Sequence, residues 1–211
     1  MTQLNDDNFL TIGSLSNNST CLIWFHGYGS NNWSFEPSMK LINMMLDEKL
    51  FIIMPNAPII DEKRSWYPLP VSNENGVTED YEGLCNSQIE VCNFIKKHIK
   101  KNNIFVGGFS QGAALSLSLL FNKLINIKGC IALSGYMPNA DVYKDMDVQD
   151  DPQIFMAHGY KDEVILFKSY EKSIAFIKSK TKKITAYTGD FGHTITKEVT
   201  DNLVGWLKNK I

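Results

Sequence analysis

A serine in a glycine-flanked turn is the most chemically suggestive feature of this sequence. Gly108, Phe109, Ser110, Gln111 and Gly112 follow an apolar run typical of a strand and precede a small, apolar stretch typical of a helix. A sharp turn from strand to helix strains the serine backbone, and glycine two positions away on either side removes Cβ atoms that would clash there. The pattern therefore predicts that the Ser110 hydroxyl is exposed as a nucleophile.

Such a nucleophile needs a base, and the chain has only four histidines to choose from. His26 precedes the serine, and His98 lies in a lysine-rich segment typical of an exposed helix end. His193 lies in a glycine-rich loop before the last helical pattern, so we predict that it is the base. His158, at the end of an apolar run, is the alternative base, although we expect it to fix the loop that carries the acid. The other interpretation of His193 is a histidine that only caps or bonds within its loop.

We predict that Asp162 is the carboxylate that orients this base. Ser110, Asp162 and His193 then occur in an order that places each on a loop after a successive strand. A carboxylate at this point would accept the imidazole Nδ1 proton and hold the tautomer that the reaction needs. The alternative is that Asp162 is the N-cap of a helix beginning near Glu163. Asp190 is too close along the chain to His193 to be preferred.

A second glycine-flanked loop offers donors for an oxyanion. His26, Gly27, Tyr28 and Gly29 follow another apolar strand pattern, and glycine lets neighbouring N–H groups point at a ligand. We predict that the N–H groups of Tyr28 and Gln111 form the oxyanion hole. An ordinary tight turn is the alternative for this loop.

Taken together, these segments resemble a known family over nearly the whole chain. The motifs that carry the resemblance are His26-Gly27-x-Gly29, Pro55-Asn56-Ala57-Pro58 with Ser65-Trp66-Tyr67 after it, Gly108-Phe109-Ser110-Gln111-Gly112, Leu133-Ser134-Gly135-Tyr136-Met137-Pro138, His158-Gly159-x-x-Asp162-x-Val164 and Gly192-His193. The chain resembles the carboxylesterase/phospholipase branch of the α/β-hydrolases, which contains the acyl-protein thioesterases. The resemblance implies a compact serine hydrolase of one domain over 1–211, acting on acyl esters or thioesters, with Ser110, Asp162 and His193 as its triad. The chain departs from the family at Ser30, where an acidic residue is common, and at Ala113, where a further glycine is frequent.

The same triad would also serve other reactions, because a fold does not choose its substrate. A lysophospholipase, a peptidase or another acyl-transfer enzyme is the alternative within this fold. A binding protein with a dormant triad is the alternative from another class. The expected partner is an acyl ester of a small molecule or lipid, or an acylated protein, and the sequence is compatible with a homodimer.

Composition limits the remaining functions. The 211 residues include 44% hydrophobic residues, which suffices for the core of one α/β domain, and the formal net charge of −2 argues against a nucleic-acid-binding surface. The four cysteines show no CxxC spacing, so we expect reduced thiols, no metal and no cofactor. The start of the chain lacks a signal-peptide pattern, and no apolar run approaches the roughly 18 residues of a membrane span, so we expect a cytoplasmic protein.

Alternating strand and helix patterns predict a mostly parallel central sheet with helices on both faces. The predicted strands lie near 21–25, 50–54, 104–107, 129–134, 153–157 and 184–187, and the predicted helices near 36–48, 79–100, 111–124, 163–179 and 196–209.

The interval 55–78 shows no periodicity, and long loops of this kind are often functional. It carries Trp66, Tyr67, Pro68, Leu69 and Pro70, which we predict to form a wall of an apolar acyl groove beside Ser110, with Phe191 as a further contributor. The alternative is that these aromatic side chains only pack the loop onto the sheet.

Overall fold

The computed structural model describes residue 4 and the ranges 8–15, 20–74, 76–100, 103–148 and 150–211. In this part of the chain, a seven-stranded sheet lies between two layers of helices, which confirms the predicted α/β architecture. The strands are β1 (Phe9–Ile12), β2 (Thr20–Phe25), β3 (Leu50–Pro55), β4 (Ile59–Ile60), β5 (Lys63–Arg64), β6 (Val71–Asn73), β7 (Gly76–Thr78), β8 (Ile104–Phe109), β9 (Gly129–Leu133), β10 (Gln153–Gly159) and β11 (Ile184–Gly189). The helices are α1 (Glu36–Met45), α2 (Tyr81–His98), α3 (Gln111–Leu119), α4 (Phe167–Lys180) and α5 (Lys197–Lys208).

The strand order in the main sheet is β1-β3-β2-β8-β9-β10-β11. Every neighbouring pair is parallel except β1 and β3, which are antiparallel. Because the carboxyl ends of parallel strands lie along one edge of a sheet, the loops that follow β2, β8, β10 and β11 meet at that edge.

The side chains of β2 show how the sheet forms two cores. Successive side chains of a strand point to opposite faces. Cys21, Ile23 and Phe25 are buried under α2, α3 and α4, whereas Leu22 and Trp24 are buried under α1 and α5. Burial on both faces explains why this strand is a continuous apolar run with no alternation.

The structure differs from the sequence prediction at short elements and helix ends. The interval 55–78, predicted to be irregular, contains two short hairpins, formed by β4 with β5 and by β6 with β7. Helix α4 begins at Phe167, four residues after the predicted start, because a turn held by Asp162 comes first. None of the helices described is both long and apolar enough to cross a bilayer.

Candidate active site

The backbone of Ser110 is strained in the turn between β8 and α3. Its φ is 56° and its ψ is −119°, a left-handed conformation that costs a non-glycine residue about 1–3 kcal/mol. The turn is fixed from both sides, because the Ser110 N–H donates to the Leu133 carbonyl at 2.9 Å and the Ser110 carbonyl accepts from the Ala114 N–H at 3.0 Å. A Cβ atom on Gly112 would lie 2.1 Å from the Phe25 carbonyl oxygen, so only glycine allows α3 to approach β2 this closely.

The structure brings Asp162 and His193 together. Asp162 Oδ2 accepts from His193 Nδ1 at 2.7 Å, which leaves His193 Nε2 as the ring nitrogen that can accept a proton. Asp162 Oδ1 accepts from the N–H groups of Val164 and Ile165 at 2.9 and 2.8 Å. One carboxylate thus orients the imidazole and caps the turn before α4. The rejected alternative, Asp190, pairs instead with Lys161 at the surface at 2.8 Å.

His193 and Ser110 lie at the same edge of the sheet. The His193 ring packs against the ring of Phe109, with 4.7 Å between ring centroids, and Phe109 directly precedes the serine. The loop after β2 also reaches this point, since a Cβ atom on Gly27 would lie 3.3 Å from the Ser110 Cβ. The predicted nucleophile, base and oxyanion loop therefore occupy neighbouring positions.

His158, the alternative base, lies fully buried beneath the acid. Its Nε2 lies 2.8 Å from the Ile165 carbonyl oxygen and 3.3 Å from Asp162 Oδ2. Because both oxygens can only accept, Nε2 carries the proton and cannot take one from a serine. Burial lowers the pKa of His158, which favours the neutral ring. The Tyr170 ring stacks on it at 5.1 Å between centroids.

The loop after β2 is held by a second buried histidine. His26 Nδ1 donates to the Gly27 carbonyl at 2.7 Å, and His26 Nε2 accepts from the Ala57 N–H at 3.0 Å. This pattern requires the neutral ring, and burial lowers the pKa of His26 to about 4, with a smaller lowering from the charge of Arg64. The next residues turn through Gly29, at a φ of 70°, which glycine adopts without strain. Tyr28 is thus placed by a rigid, uncharged support.

The side chain of Gln111 links the serine turn to the 55–78 interval, and the sequence analysis missed it. Its Oε1 accepts from the Trp66 N–H at 3.0 Å, while its Nε2 donates to Ser65 Oγ at 2.9 Å and to the Tyr67 carbonyl at 2.8 Å. Since Gln111 is the first residue of α3, no carbonyl of that helix accepts its own N–H. This residue therefore offers a backbone donor beside Ser110 and positions the groove wall with its amide.

A cavity of about 390 Å³ opens beside Ser110. Its walls come from the segment that follows Trp66 and from the segment that leads into α4. Tyr28 and Gln111 line it together with Ser110. Its lining consists of Tyr28, Tyr67, Leu69, Pro70, Glu79, Ser110, Gln111, Tyr136, Val164, Ile165, Leu166 and Ser169. The cavity volume falls within the range of about 300–1,000 Å³ that is typical of small-molecule sites.

Of the three aromatic residues predicted to line this groove, the structure places only Tyr67 there. Trp66 is 2% exposed: its ring packs on Phe25, and its Nε1 donates to the His26 carbonyl at 2.8 Å, so it supports the oxyanion loop from behind. The Phe191 ring stacks on Tyr187, with 6.4 Å between centroids, over the end of β11. The burial of Trp66 corrects its predicted place in the groove wall, whereas Phe191 is not among the residues that line the described cavity and its contribution stays a prediction.

The described residues contain no group of three or more His, Cys, Asp or Glu side chains that could hold a metal ion.

Comparison with known proteins places the chain in a family. Residues 7–210 match the model of the phospholipase/carboxylesterase family. An acyl-protein thioesterase 1 from Candida albicans is 29% identical, over 92% of this chain and 93% of its own length. A probable carboxylesterase from rice, Oryza sativa, is 30% identical, over 92% of this chain and 79% of its own length.

Solved structures show the same fold. The acyl-protein thioesterase 2 of Zea mays superposes with a TM-score of 0.80 at 20% identity, covering 96% of this chain and 98% of that one. A carboxylesterase of Bacillus cereus gives a TM-score of 0.80 at 18% identity, covering 96% and 93%.

Proposed function

Since the chain belongs to the phospholipase/carboxylesterase family of α/β-hydrolases, we propose that it hydrolyses carboxylic esters or thioesters through Ser110, His193 and Asp162. The observation that carries this proposal is the 2.7 Å hydrogen bond from His193 Nδ1 to Asp162 Oδ2, at the sheet edge where Ser110 occupies its strained turn. With Nδ1 held by the carboxylate in this way, Nε2 is the ring nitrogen that would accept the serine proton.

The proposed reaction has two steps of acyl transfer. His193 Nε2 accepts the Ser110 proton while the serine oxygen forms a bond to the carbonyl carbon, and the N–H groups of Tyr28 and Gln111 stabilise the resulting oxyanion. The bond to the alcohol or thiol then breaks, and His193 returns the proton to that leaving group. Water attacks the acyl-enzyme with the same base, and the carboxylic acid leaves.

The groove fits the acyl part of the substrate. His193 must protonate the leaving atom, so the leaving group lies on the side of the imidazole. We assign the acyl chain to the groove beside Ser110, because Tyr28 and Gln111, the proposed oxyanion donors, are among its lining residues. Leu69, Val164 and Leu166 give this groove apolar walls that suit an alkyl chain.

The decisive test compares Ser110→Ala with Ser179→Ala, an exposed serine on α4, on p-nitrophenyl butyrate and on the matching thioester. We expect Ser110→Ala to lose hydrolysis and labelling by a fluorophosphonate probe while its circular dichroism is unchanged, and Ser179→Ala to keep both. Undiminished turnover in Ser110→Ala would remove this residue from the mechanism. Folded wild-type protein that is not labelled would instead support a binding protein with a dormant triad.

The bond that is cleaved is tested with the same acyl group on different leaving groups. The panel holds an oxygen ester, a thioester, an S-acylated peptide, a lysophospholipid and an amide. We expect the esters and thioesters to have the highest kcat/KM. A preference for the lysophospholipid would identify the alternative enzyme on this fold.

A further inference from the structure

One carboxylate, Glu79, lies in the wall of the otherwise uncharged groove. Among the described residues that line the cavity, only Glu79 has a side chain that carries a formal charge at neutral pH. Glu79 Oε2 accepts from the Asn139 N–H, and the Tyr136 hydroxyl also forms a hydrogen bond with this carboxylate. These bonds hold the charge in place at the groove wall, whereas a charge on a free side chain would turn towards solvent.

The field of Glu79 already acts on its neighbours in the groove. Burial raises the pKa of Tyr136, and the negative charge of Glu79 raises it further. Burial also raises the pKa of Tyr67, with smaller contributions from Tyr136 and then from the charge of Glu79. A tyrosinate is disfavoured here because it would be an anion beside a carboxylate in a poorly solvated site. A substrate anion at the same place meets the same repulsion.

We propose that Glu79 makes the acyl groove select against acyl groups with a negative charge, so that the substrates are esters of neutral or cationic acids and not hemi-esters of dicarboxylic acids. This inference rests on the proposed function, since it assigns the groove to the acyl chain. Two like charges about 6 Å apart, in the partly solvated environment of such a groove, disfavour binding by about 10- to 100-fold.

The experiment uses two p-nitrophenyl esters that differ only in charge. One is the hemi-ester of adipic acid, which ends in a carboxylate, and the other is its isosteric amide, p-nitrophenyl adipamate. The ester of 6-aminohexanoic acid adds a cation of similar length. We expect wild-type protein to show a kcat/KM for the anionic ester at least about 10-fold below that for the amide.

The variant Glu79→Gln tests the cause of this discrimination. Its amide oxygen can still accept from the Asn139 N–H, so the loop keeps its support. We expect the ratio of amide to anion to fall at least about fivefold. The matched control is Glu82→Gln, an exposed acid in the first turn of α2, which we expect to leave the ratio unchanged.

Two results would overturn the inference: wild-type protein that cleaves the anionic ester as fast as the amide, or a ratio that is the same in Glu79→Gln. The first of these results is measured on wild-type protein alone, so it tests the inference even if Glu79→Gln does not fold. If none of the esters is hydrolysed, the proposed function fails. Calorimetric binding of adipamide and of adipamate, its anionic counterpart, then decides the charge preference, with equal dissociation constants counting against it.

Discussion

The loop after β2, which carries the proposed oxyanion donor Tyr28, depends on a histidine that must stay neutral, and this predicts a specific sensitivity to acid. His26 donates through Nδ1 to the Gly27 carbonyl and accepts through Nε2 from the Ala57 N–H. Protonation of Nε2 would place its N–H group against the Ala57 N–H, and neither group could accept a hydrogen bond from the other. Burial accordingly lowers the pKa of His26 from its ordinary value of 6.5 to about 4.

The magnitude follows from the linkage between protonation and folding. Between pH 6.5 and about 4, the unfolded chain binds a proton at His26 and the folded chain does not. The free energy of unfolding therefore falls as the pH is lowered through this window. From pH 7 to pH 5 the loss is about 2 kcal/mol. A folded-state pKa of 5 still gives about 1.5 kcal/mol, because protonation of the unfolded chain dominates at pH 5.

Urea unfolding at pH 7, 6 and 5 tests this reasoning with His26→Gln, whose side-chain oxygen can replace Nε2 as the acceptor for Ala57. We expect the stability advantage of wild-type protein over this variant to shrink by about 2 kcal/mol between pH 7 and pH 5. Ile23→Val is the control, because a core truncation of about 0.5–1.5 kcal/mol has no titration of its own and gives a curve parallel to wild type. If the stability of His26→Gln falls with pH in parallel with that of wild-type protein, the assignment of a lowered pKa to His26 is refuted.

Three further predictions concern the serine turn and its supports. Asp162→Asn lowers kcat by about 10⁴-fold without unfolding the chain, because the amide favours the wrong imidazole tautomer; a loss below tenfold would contradict the role of the acid. Gln111→Ala keeps the backbone donor but leaves the Trp66 N–H and its neighbours unpaired, so urea unfolding should show a loss of about 1–3 kcal/mol, and an unchanged midpoint would argue against the link. Gly112→Ala places a Cβ atom 2.1 Å from a backbone carbonyl oxygen and lowers the melting temperature, whereas Gly205→Ala, in the open interior of α5, raises stability by about 0.5–1 kcal/mol; equal effects at the two positions would contradict the close approach.

The sheet was predictable where strands are buried on both faces. The runs that became β2, β3, β8, β9 and β10 were predicted within two residues at each end, because burial on both faces requires an apolar residue at nearly every position. The edge strand β11, which is only partly buried, was predicted with the same accuracy from its short strand-like run. The edge strand β1 was not predicted. Its residues are only partly buried, so neither alternation nor a long apolar run marks its four positions. The strand is held by its antiparallel pairing with β3, which its own sequence does not indicate.

The orientation of the aromatic side chains could not be predicted from the sequence. Trp66 and Tyr67 are adjacent, and composition gives no reason to separate them. In the structure, the indole of Trp66 turns inwards to donate to His26, while Tyr67 lines the groove. The role of the Gln111 amide was missed for a related reason, since its three partners lie more than 40 positions away along the chain.

These misses share a physical origin that bears on how the site works. Groups that would perform the chemistry follow strand ends, so local patterns predict where they occur. Two of the groups that hold them in place, His26 and Gln111, are buried polar side chains fixed by bonds to backbone that is distant along the chain. A buried polar group without its partners costs about 1–3 kcal/mol, so these bonds resist displacement of the loops they join. The strained turn at Ser110 persists because such supports surround it, and the proposed oxyanion donors would then be in position before any substrate arrives.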